Sequence, residues 1–195
     1  MQNTSQRIRC FVAIEIPSTI QDKLAQIQDI LRKRIRHASW VIPKNFHLTL
    51  KFLGEVEHTQ LGTIEAAIQK VAMGHFPFTM RVGGIGAFPN LKRPRVVWCG
   101  VKDGSADISE LAKEINLELD RCGFPRDERA ASPHLTIARI KKRMDLRPFT
   151  DAFQQYEKID GASMTVEEIT LVRSQLQLTG AVYTRLKSCR LNMEV

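Results

Sequence analysis

Hydrophobic residues recur along the chain with two different spacings. In one class of segment they alternate with polar residues or form a short apolar run, which is typical of β-strands. The segments of this class are 8–16, 40–42, 46–53, 76–82, 95–101 and 133–140. In the other class they lie three or four positions apart, as on one face of a helix. This spacing predicts helices over 20–31, 61–71 and 108–119, and a short fourth helix near 149–156.

Turn-forming residues separate these segments. Pro17 ends the first strand, and Ser18 is placed to cap the helix that follows. Gly54 follows the third strand, and Gly123 can close the third helix in a left-handed conformation. Gly180 predicts a turn between two strands of the tail. Because strands and helices mix without the regular alternation of a doubly wound sheet, the sequence predicts an α+β fold.

The most informative pattern is a short motif that occurs twice. The sequence His-Leu-Thr-Leu begins at His47, and His-Leu-Thr-Ile begins at His134, although the chain has only five histidines. Residues i and i+2 of a strand point the same way, so each histidine shares a face with Thr49 or Thr136. The same alternation puts Lys51 beside the first histidine. If the two strands lie side by side about a pseudo-twofold axis, two imidazoles and two hydroxyls converge on one cleft.

Two histidines that face one cleft suit the hydrolysis of a phosphodiester without a metal. In-line displacement at phosphorus needs a base for the nucleophile and an acid for the leaving oxygen, on opposite sides. Histidine serves in both roles because its usual pKa is about 6.5. The hydroxyls of Thr49 and Thr136 can donate hydrogen bonds to the non-bridging phosphate oxygens. His47 and His134 are therefore the candidate catalytic residues, and the two threonines are candidate phosphate ligands.

Other interpretations of these residues find less support. A single strand histidine is often a half-buried structural residue, but a matched pair of motifs argues against that explanation. A metal site would need further ligands, and the sequence has neither an HExxH motif nor a carboxylate next to either motif. The glycines at 83–86 lack the lysine of a nucleotide-binding loop and predict a bulge or turn. No metal and no cofactor are expected.

Composition narrows the partners and the compartment. The formal net charge of +8 favours a polyanionic partner such as RNA. Basic residues cluster at 92–95 and 141–143, beside the predicted cleft strands. The four cysteines form no CxxC pair, and Cys10 and Cys99 fall in apolar strands, so buried reduced thiols are expected. The sequence shows neither a secretory signal nor an apolar run long enough for a membrane, which predicts a cytoplasmic protein.

Beyond the two motifs, the sequence resembles the 2H phosphoesterases, and within them the RNA 2′,3′-cyclic phosphodiesterases, which are also called 2′-5′ RNA ligases. The paired His-x-Thr motifs define that superfamily, and longer strings around them favour the subgroup. These strings lie at 9–14, 47–54, 86–89, 93–98, 133–139 and 171–174, with Gly180 and Tyr183 in the tail. The resemblance runs over nearly the whole chain.

The resemblance implies a bilobal α+β fold, in which two pseudo-symmetric lobes place antiparallel sheets around a central cleft and helices outside. Residues 1–195 are expected to form one catalytic domain, in which each lobe supplies one His-x-Thr motif. The implied reaction is hydrolysis of the 2′,3′-cyclic phosphate ends of RNA, such as tRNA fragments, to 2′-phosphate ends. By analogy His47 is expected to be the acid and His134 the base. The enzyme is expected to act as a monomer.

The resemblance also implies two further substrate-binding residues. Arg139 matches the arginine that ends the second family motif and binds phosphate as a forked donor. Phe52 matches a family aromatic residue near the base site. Strict alternation along the strands puts both side chains on the face away from the histidines, so the strand before Arg139 has to end, twist or bulge. The same parity favours core packing for Phe52.

Three related functions stay open at this point. Attack of a ribose hydroxyl on the cyclic phosphate in the same site would join RNA halves through a 2′-5′ bond without ATP. This ligation differs from hydrolysis only in the nucleophile, and the sequence cannot separate the two. The cyclic phosphate of a small nucleotide is a second candidate substrate, although it would not require a basic surface. A non-catalytic RNA-binding protein with this fold is the third, and the two complete motifs argue against it.

Overall fold

The computed structural model describes residues 7–128, 132–156, 159, 162–178 and 180–193. Within these ranges the chain forms nine β-strands and four α-helices. The strands are β1 (Arg7–Glu15), β2 (Ala38–Trp40), β3 (His47–Glu57), β4 (Phe78–Phe88), β5 (Val96–Asp103), β6 (His134–Ile140), β7 (Ser163–Val166), β8 (Glu168–Gln177) and β9 (Gly180–Arg190). The helices are α1 (Ser18–Arg32), α2 (Leu61–Ala72), α3 (Ser105–Arg121) and α4 (Thr150–Gln154).

The nine strands belong to one antiparallel sheet. Its order is β7-β4-β5-β6-β3-β1-β8-β9, and β2 pairs with β6. β3 and β6 meet in the middle through the pairing of Leu48 with Leu135. Three strands follow on each side, namely β1, β8 and β9 beyond β3, and β5, β4 and β7 beyond β6. These two halves are the lobes expected from the sequence, joined in one continuous sheet.

The three long helices cover one face of the sheet and leave the other face open. Apolar residues of α1, α2 and α3 are buried together with alternate residues of β1 from Ile8 to Ile14. The intervening residues Phe11 and Ala13 belong to a separate small cluster with Val172 of β8. This second cluster marks the open face, because neighbouring residues of a strand point to opposite sides.

The start of α1 corrects one expectation from the sequence. Ser18 is the first helical residue and makes no capping bond. Pro17, whose backbone is extended, takes the capping position instead, and its carbonyl accepts a 3.0 Å hydrogen bond from the N–H of Gln21. Further along α1, the buried side chain of Gln28 donates to the carbonyl of Ile137. The helix is thereby tied to the strand that carries the second motif.

A β-bulge interrupts each motif strand at the same place. The register between β3 and β1 skips Leu50, and the register between β6 and β5 skips Ile137. Each of these residues lies three positions after its motif histidine. Because a bulge adds one residue to one strand, two consecutive side chains point to the core and the alternation beyond them is reversed.

The bulges overturn two expectations from strict alternation. Lys51 points into the core instead of lying beside His47, and it is only 2% exposed. Phe52 is 58% exposed on the open side, so the prediction of core packing is wrong. In β6 the same shift leaves Arg139 exposed, which confirms that the strand bulges before it.

Glycines allow two further irregularities in the strands. Gly54 does not end β3, because at φ +73° it pairs with Cys10 and the strand continues to Glu57. Gly84, at φ +74°, is skipped in the register between β4 and β5, which confirms the predicted bulge in the glycine-rich segment. Gly123 has the predicted left-handed conformation after α3, with φ +88°.

Candidate active site

The two motifs place four polar side chains on the open face of the sheet. The central leucine pair of β3 and β6 fixes their register. In an antiparallel pair one step back on one strand matches one step forward on the other, so His47 lies beside Thr136 and Thr49 beside His134. All four are partly exposed, whereas the motif residues between them are buried. Two imidazoles and two hydroxyls therefore face one cleft, as the strand pattern predicts.

Both histidines are oriented by the same hydrogen bond. Nδ1 of His47 lies 2.7 Å from the carbonyl oxygen of Asn45, and Nδ1 of His134 lies 2.6 Å from that of Ser132. Because a carbonyl oxygen only accepts, Nδ1 carries the hydrogen in each ring and donates it. Nε2 is then the atom that gains or loses a proton. Each imidazole can act as a base when neutral and as an acid when protonated, through the same atom.

Aromatic rings enclose His47 on the side of β1 and β9. The ring of Phe11 lies 4.7 Å from the imidazole at an interplanar angle of 31°, and Tyr183 meets the imidazole edge-on at 5.1 Å. Phe11 and Tyr183 also contact each other at 5.1 Å. Phe52 extends this group, with its ring 6.1 Å from that of Phe11. Phe11 and Tyr183 restrict the rotation of the imidazole because they pack against its face and edge.

His134 has its own aromatic contacts in the other lobe. Phe88 at the end of β4 meets the imidazole edge-on at 4.9 Å. Trp98 packs 5.2 Å from Phe88, and its backbone pairs with Thr136. A Cβ atom at Gly86 would collide with the indole, so the glycine leaves the space that Trp98 occupies. The glycine-rich stretch of β4 thus helps to shape this wall of the cleft.

The surroundings of His47 favour its neutral form. Burial is the main cause of a pKa below the usual 6.5, and the positive charges of Arg139 and His134 lower this pKa further. The bond with Asn45 and the carboxylate of Glu15 act in the opposite direction. Arg139 and His134 both belong to β6, so the two motif strands share one electrostatic environment. An anion bound there would raise the pKa of His47.

A pocket of about 220 Å³ opens beside His47 and extends the cleft away from β6. Its walls combine aromatic side chains with charged ones from β1, β9 and the short 3₁₀ helix before β3. The charged residues among them are Lys44, Glu15 and Arg185. Arg185 pairs with Glu15 and also lies 3.4 Å from Glu168. The pocket therefore offers aromatic faces and N–H donors next to the first histidine.

Comparison with known proteins identifies the family. The family model described as LigT like Phosphoesterase matches the chain twice, over residues 14–98 and 100–183, and each match contains one His-x-Thr motif. A relative from Methanothermobacter thermautotrophicus, named RNA 2′,3′-cyclic phosphodiesterase, is 34% identical over 185 residues, which are 95% of this chain and 100% of the relative. The chain belongs to the LigT-like phosphoesterase family.

Other LigT-like phosphoesterases support this result. A relative from Aquifex aeolicus, also named RNA 2′,3′-cyclic phosphodiesterase, is 32% identical over 91% of this chain and 94% of its own length. A crystal structure of a Thermus thermophilus protein superposes with a TM-score of 0.79 and 28% identity, over 96% of this chain and 100% of that one. The crystal structure of E. coli LigT complexed with 3′-AMP has a TM-score of 0.77 and 25% identity, over 95% of this chain and 99% of that one. The family resemblance and the bilobal fold are confirmed.

In the described part of this LigT-like phosphoesterase, no group of three His, Cys, Asp or Glu side chains is arranged to hold a metal ion. Nor is any helix there long and apolar enough to cross a membrane. The four cysteines are free, and Cys10, Cys99 and Cys189 are buried, which confirms core positions for the first two. Burial raises the pKa of Cys10 to about 11 and that of Cys99 to about 12.

Several neighbours of the histidines were not assigned from the motifs. Asn45 and Ser132 each precede a motif histidine by two residues and meet its ring through a backbone carbonyl, which no residue type in the sequence reveals. Phe11, Tyr183 and Phe88 lie on other strands, and only the pairing of those strands brings them to the imidazoles. No local pattern in this LigT-like phosphoesterase reveals such contacts.

Proposed function

We propose that this phosphoesterase hydrolyses the 2′,3′-cyclic phosphate ends of RNA to 2′-phosphate ends without a metal ion or cofactor. The observation that carries the proposal is the matched pair of histidines, each of which donates from Nδ1 to a carbonyl and exchanges its proton at Nε2. Two relatives named RNA 2′,3′-cyclic phosphodiesterase support the substrate. The net charge of +8 suits a polyanionic partner.

We assign His134 as the general base and His47 as the general acid. Nε2 of neutral His134 removes a proton from water, and the water oxygen forms a bond to phosphorus. On the opposite side the bond from phosphorus to O3′ breaks, and protonated His47 donates its Nε2 proton to O3′. The product has a 2′-phosphate and a free 3′-hydroxyl. Proton exchange with solvent then returns both histidines to their starting forms.

The acid role requires a protonated His47 in the complex with substrate. In the free site burial lowers the pKa of this histidine. A cyclic phosphate carries one negative charge, and an opposite charge within a few ångströms favours the charged form of an imidazole. Substrate binding therefore restores the proton that the leaving oxygen needs.

The remaining predicted site residues bind the substrate in this proposal. Thr49 and Thr136 donate hydrogen bonds to the non-bridging oxygens of the cyclic phosphate, where negative charge accumulates during the reaction. Arg139 donates to the same group as a forked cation. Phe52, with its exposed ring beyond Phe11, packs against the terminal nucleoside.

The direct test uses purified protein in EDTA with an RNA oligonucleotide that ends in a 2′,3′-cyclic phosphate. We expect conversion to a 2′-phosphate end, and its loss in His47→Ala and His134→Ala variants that keep the wild-type circular dichroism spectrum. His58→Ala is the matched control, because His58 begins the short 3₁₀ helix that precedes α2 and lies outside the cleft. Activity that appears only after a divalent metal is added would overturn the metal-independent mechanism.

A second experiment separates the acid from the base. A substrate in which sulfur replaces O3′ has a leaving group that needs no protonation. We expect this substrate to restore the activity of His47→Ala and not that of His134→Ala. The reverse result would exchange the two roles and leave the reaction unchanged.

The same site suits 2′-5′ ligation, because a ribose hydroxyl can replace water as the nucleophile: its oxygen bonds to phosphorus, its proton goes to the base, and the bond from phosphorus to O3′ breaks as in hydrolysis. Product analysis with two RNA fragments measures this alternative directly. Preference for a small cyclic nucleotide over an oligonucleotide, or RNA binding without turnover, would favour the other two candidate functions. We further propose that residues 1–195 form one catalytic domain that acts as a monomer on RNA ends such as tRNA fragments. Its free, mostly buried cysteines suit a cytoplasmic location.

A further inference from the structure

A cross-strand row of polar residues continues from the active site along the open face of the sheet. Arg9 of β1 pairs with Ser174 of β8, and Ser174 pairs with Tyr183 of β9. Arg9 lies two positions before Phe11 and on the same side of β1. Because Phe11 and Tyr183 both contact His47, the row begins beside the first histidine.

A second pocket, of about 250 Å³, lies at the far end of this row. Its walls include three arginines, Arg7, Arg9 and Arg173, against one carboxylate, that of Glu55. Arg7 forms an ion pair with Glu57 at 3.3 Å. Within the described ranges, neither Arg9 nor Arg173 has a carboxylate within ion-pair distance. Of the two, Arg9 shares the open face with Ser174, whereas Arg173 pairs with the buried Cys10 and belongs to the opposite face of β8. The guanidinium group of Arg9 therefore retains donors for an external anion on the open face.

The electrostatics of Tyr183 link this pocket to the cleft. Burial raises the pKa of the Tyr183 phenol, and the positive charges of Arg139 and Arg9 oppose this effect. The charge of an arginine of the motif strand β6 and that of an arginine of the second pocket thus both act on this ring. A chain of alternating charge and aromatic surface runs from Arg139 past Tyr183 to Arg9, which is the composition that single-stranded nucleic acids bind.

We propose that Arg9 binds the backbone phosphate of a nucleotide on the 5′ side of the cyclic phosphate, so that the RNA strand leaves the cleft along β1 and β8. This inference rests on the proposed function and adds a strand-binding site to it. Arginine suits the role because its planar fork matches two phosphate oxygens. A mononucleotide would not reach the pocket, whereas an oligonucleotide would.

Kinetics with two substrates of different length test this site. The substrates are adenosine 2′,3′-cyclic monophosphate and an oligonucleotide with the same terminal residue. We expect the wild-type protein to have the lower KM for the oligonucleotide. Arg9→Ala should raise that KM roughly tenfold, as expected for loss of a charged hydrogen bond, and leave the mononucleotide kinetics unchanged. The KM of Arg9→Lys for the oligonucleotide should lie between those of the wild type and Arg9→Ala, since lysine keeps the positive charge and lacks the planar fork.

Two control variants make the result specific. Arg121→Ala removes the same charge from α3, where Arg121 pairs with Glu118, and should change neither KM. Lys142→Ala removes a charge from the basic cluster after β6, which is the competing exit path. A larger effect of Lys142→Ala than of Arg9→Ala would overturn the proposal, and so would equal effects of Arg9→Ala on both substrates. A wild-type protein without length preference would overturn it too.

Equilibrium binding tests the site independently of turnover. The probe is an oligonucleotide that already ends in a 2′-phosphate, titrated at several salt concentrations. Each phosphate contact on a single strand contributes about 0.7 to the slope of log affinity against log salt. We expect Arg9→Ala to reduce the slope by about this amount, and an unchanged slope would reject the site. If the wild-type protein cleaves neither substrate, the proposed function fails, and this measurement still decides whether RNA binds here.

Discussion

The carbonyl of Asn45 accepts a 2.7 Å hydrogen bond from Nδ1 of His47, while the side-chain amide of Asn45 donates a 2.7 Å bond to the carbonyl of Ala181. Ala181 lies two residues before Tyr183 on β9, and Tyr183 packs against the same imidazole. Asn45 is 8% exposed, so both bonds are shielded from water. The outermost strand β9 thus holds Asn45 in place, and Asn45 in turn orients His47.

We therefore expect Asn45→Ala to reduce kcat about tenfold with little change in KM, because a misplaced imidazole transfers its proton less efficiently. Asn45→Asp should behave like the alanine variant, since a carboxylate cannot donate to the carbonyl of Ala181. Steady-state kinetics and the NMR signals of the His47 ring measure the effect. Full activity of Asn45→Asp would show that the amide does not position His47.

The neighbours Lys51 and Phe52 should respond in opposite ways to truncation. Lys51 is buried, and its Nζ donates to Oδ1 of Asn116 at 2.6 Å and to the carbonyl of Pro125 at 2.8 Å. Lys51→Ala should lower the free energy of unfolding by about 2–4 kcal/mol, because it leaves a cavity and unsatisfied acceptors. Phe52→Ala should change it by less than about 0.5 kcal/mol and weaken substrate binding instead. Urea titration and KM measure the two quantities.

Substitutions of Arg139 should distinguish a forked hydrogen-bond donor from a simple positive charge. Arg139→Ala should reduce kcat/KM about a hundredfold, because the phosphate loses a charged donor at the cleft. Arg139→Lys should recover only part of this loss, since a lysine offers the charge without the planar fork. Arg126→Ala, which removes an arginine paired with Asp120 of α3, is the control. Equal activity of the lysine variant and the wild type would assign Arg139 a purely electrostatic role.

The stability of the protein should fall between about pH 7 and pH 5, with a contribution from His47. Burial lowers the pKa of this histidine in the folded state below 6.5, so the unfolded chain binds the proton first as the pH falls. This contribution is complete above the unfolded pKa and is lost as the pH falls through the folded pKa. His47→Gln should therefore lose less stability over the same range. Thermal unfolding at both pH values tests this, and equal losses in the two proteins would contradict it.

The cysteines should differ sharply in reactivity. Burial raises the pKa of Cys10 and Cys99, and the thiolate is the reactive form. Cys122 after α3 is half-buried and is the accessible thiol. We expect a thiol reagent to modify Cys122 first in the native protein and all four cysteines in guanidinium chloride. Mass spectrometry of the labelled peptides distinguishes the sites, and early labelling of Cys99 would contradict the burial.

Local patterns predicted the elements and the shared face of each motif, because side-chain direction along a regular strand depends only on position. They failed where the backbone is irregular. The bulges at Leu50 and Ile137 have no separate sequence signal, and they turn Lys51 inward and Phe52 outward. The contacts of His47 with Tyr183 could not be predicted either, since they depend on the pairing of strands that are far apart in the chain.

The matched bulges keep the two motif strands related by an approximate half-turn. A cleft with that symmetry alone would accept a cyclic phosphate in two orientations, and O2′ and O3′ would leave equally often. The regioselectivity of ring opening therefore has to come from side chains that differ between the lobes. Phe52 and Arg139 occupy the equivalent position, five residues beyond their histidines, and differ in both charge and shape. Glu15 and Gly100, which pair with the histidines themselves, differ as well. A duplicated framework thus obtains a directional reaction from its few unmatched residues.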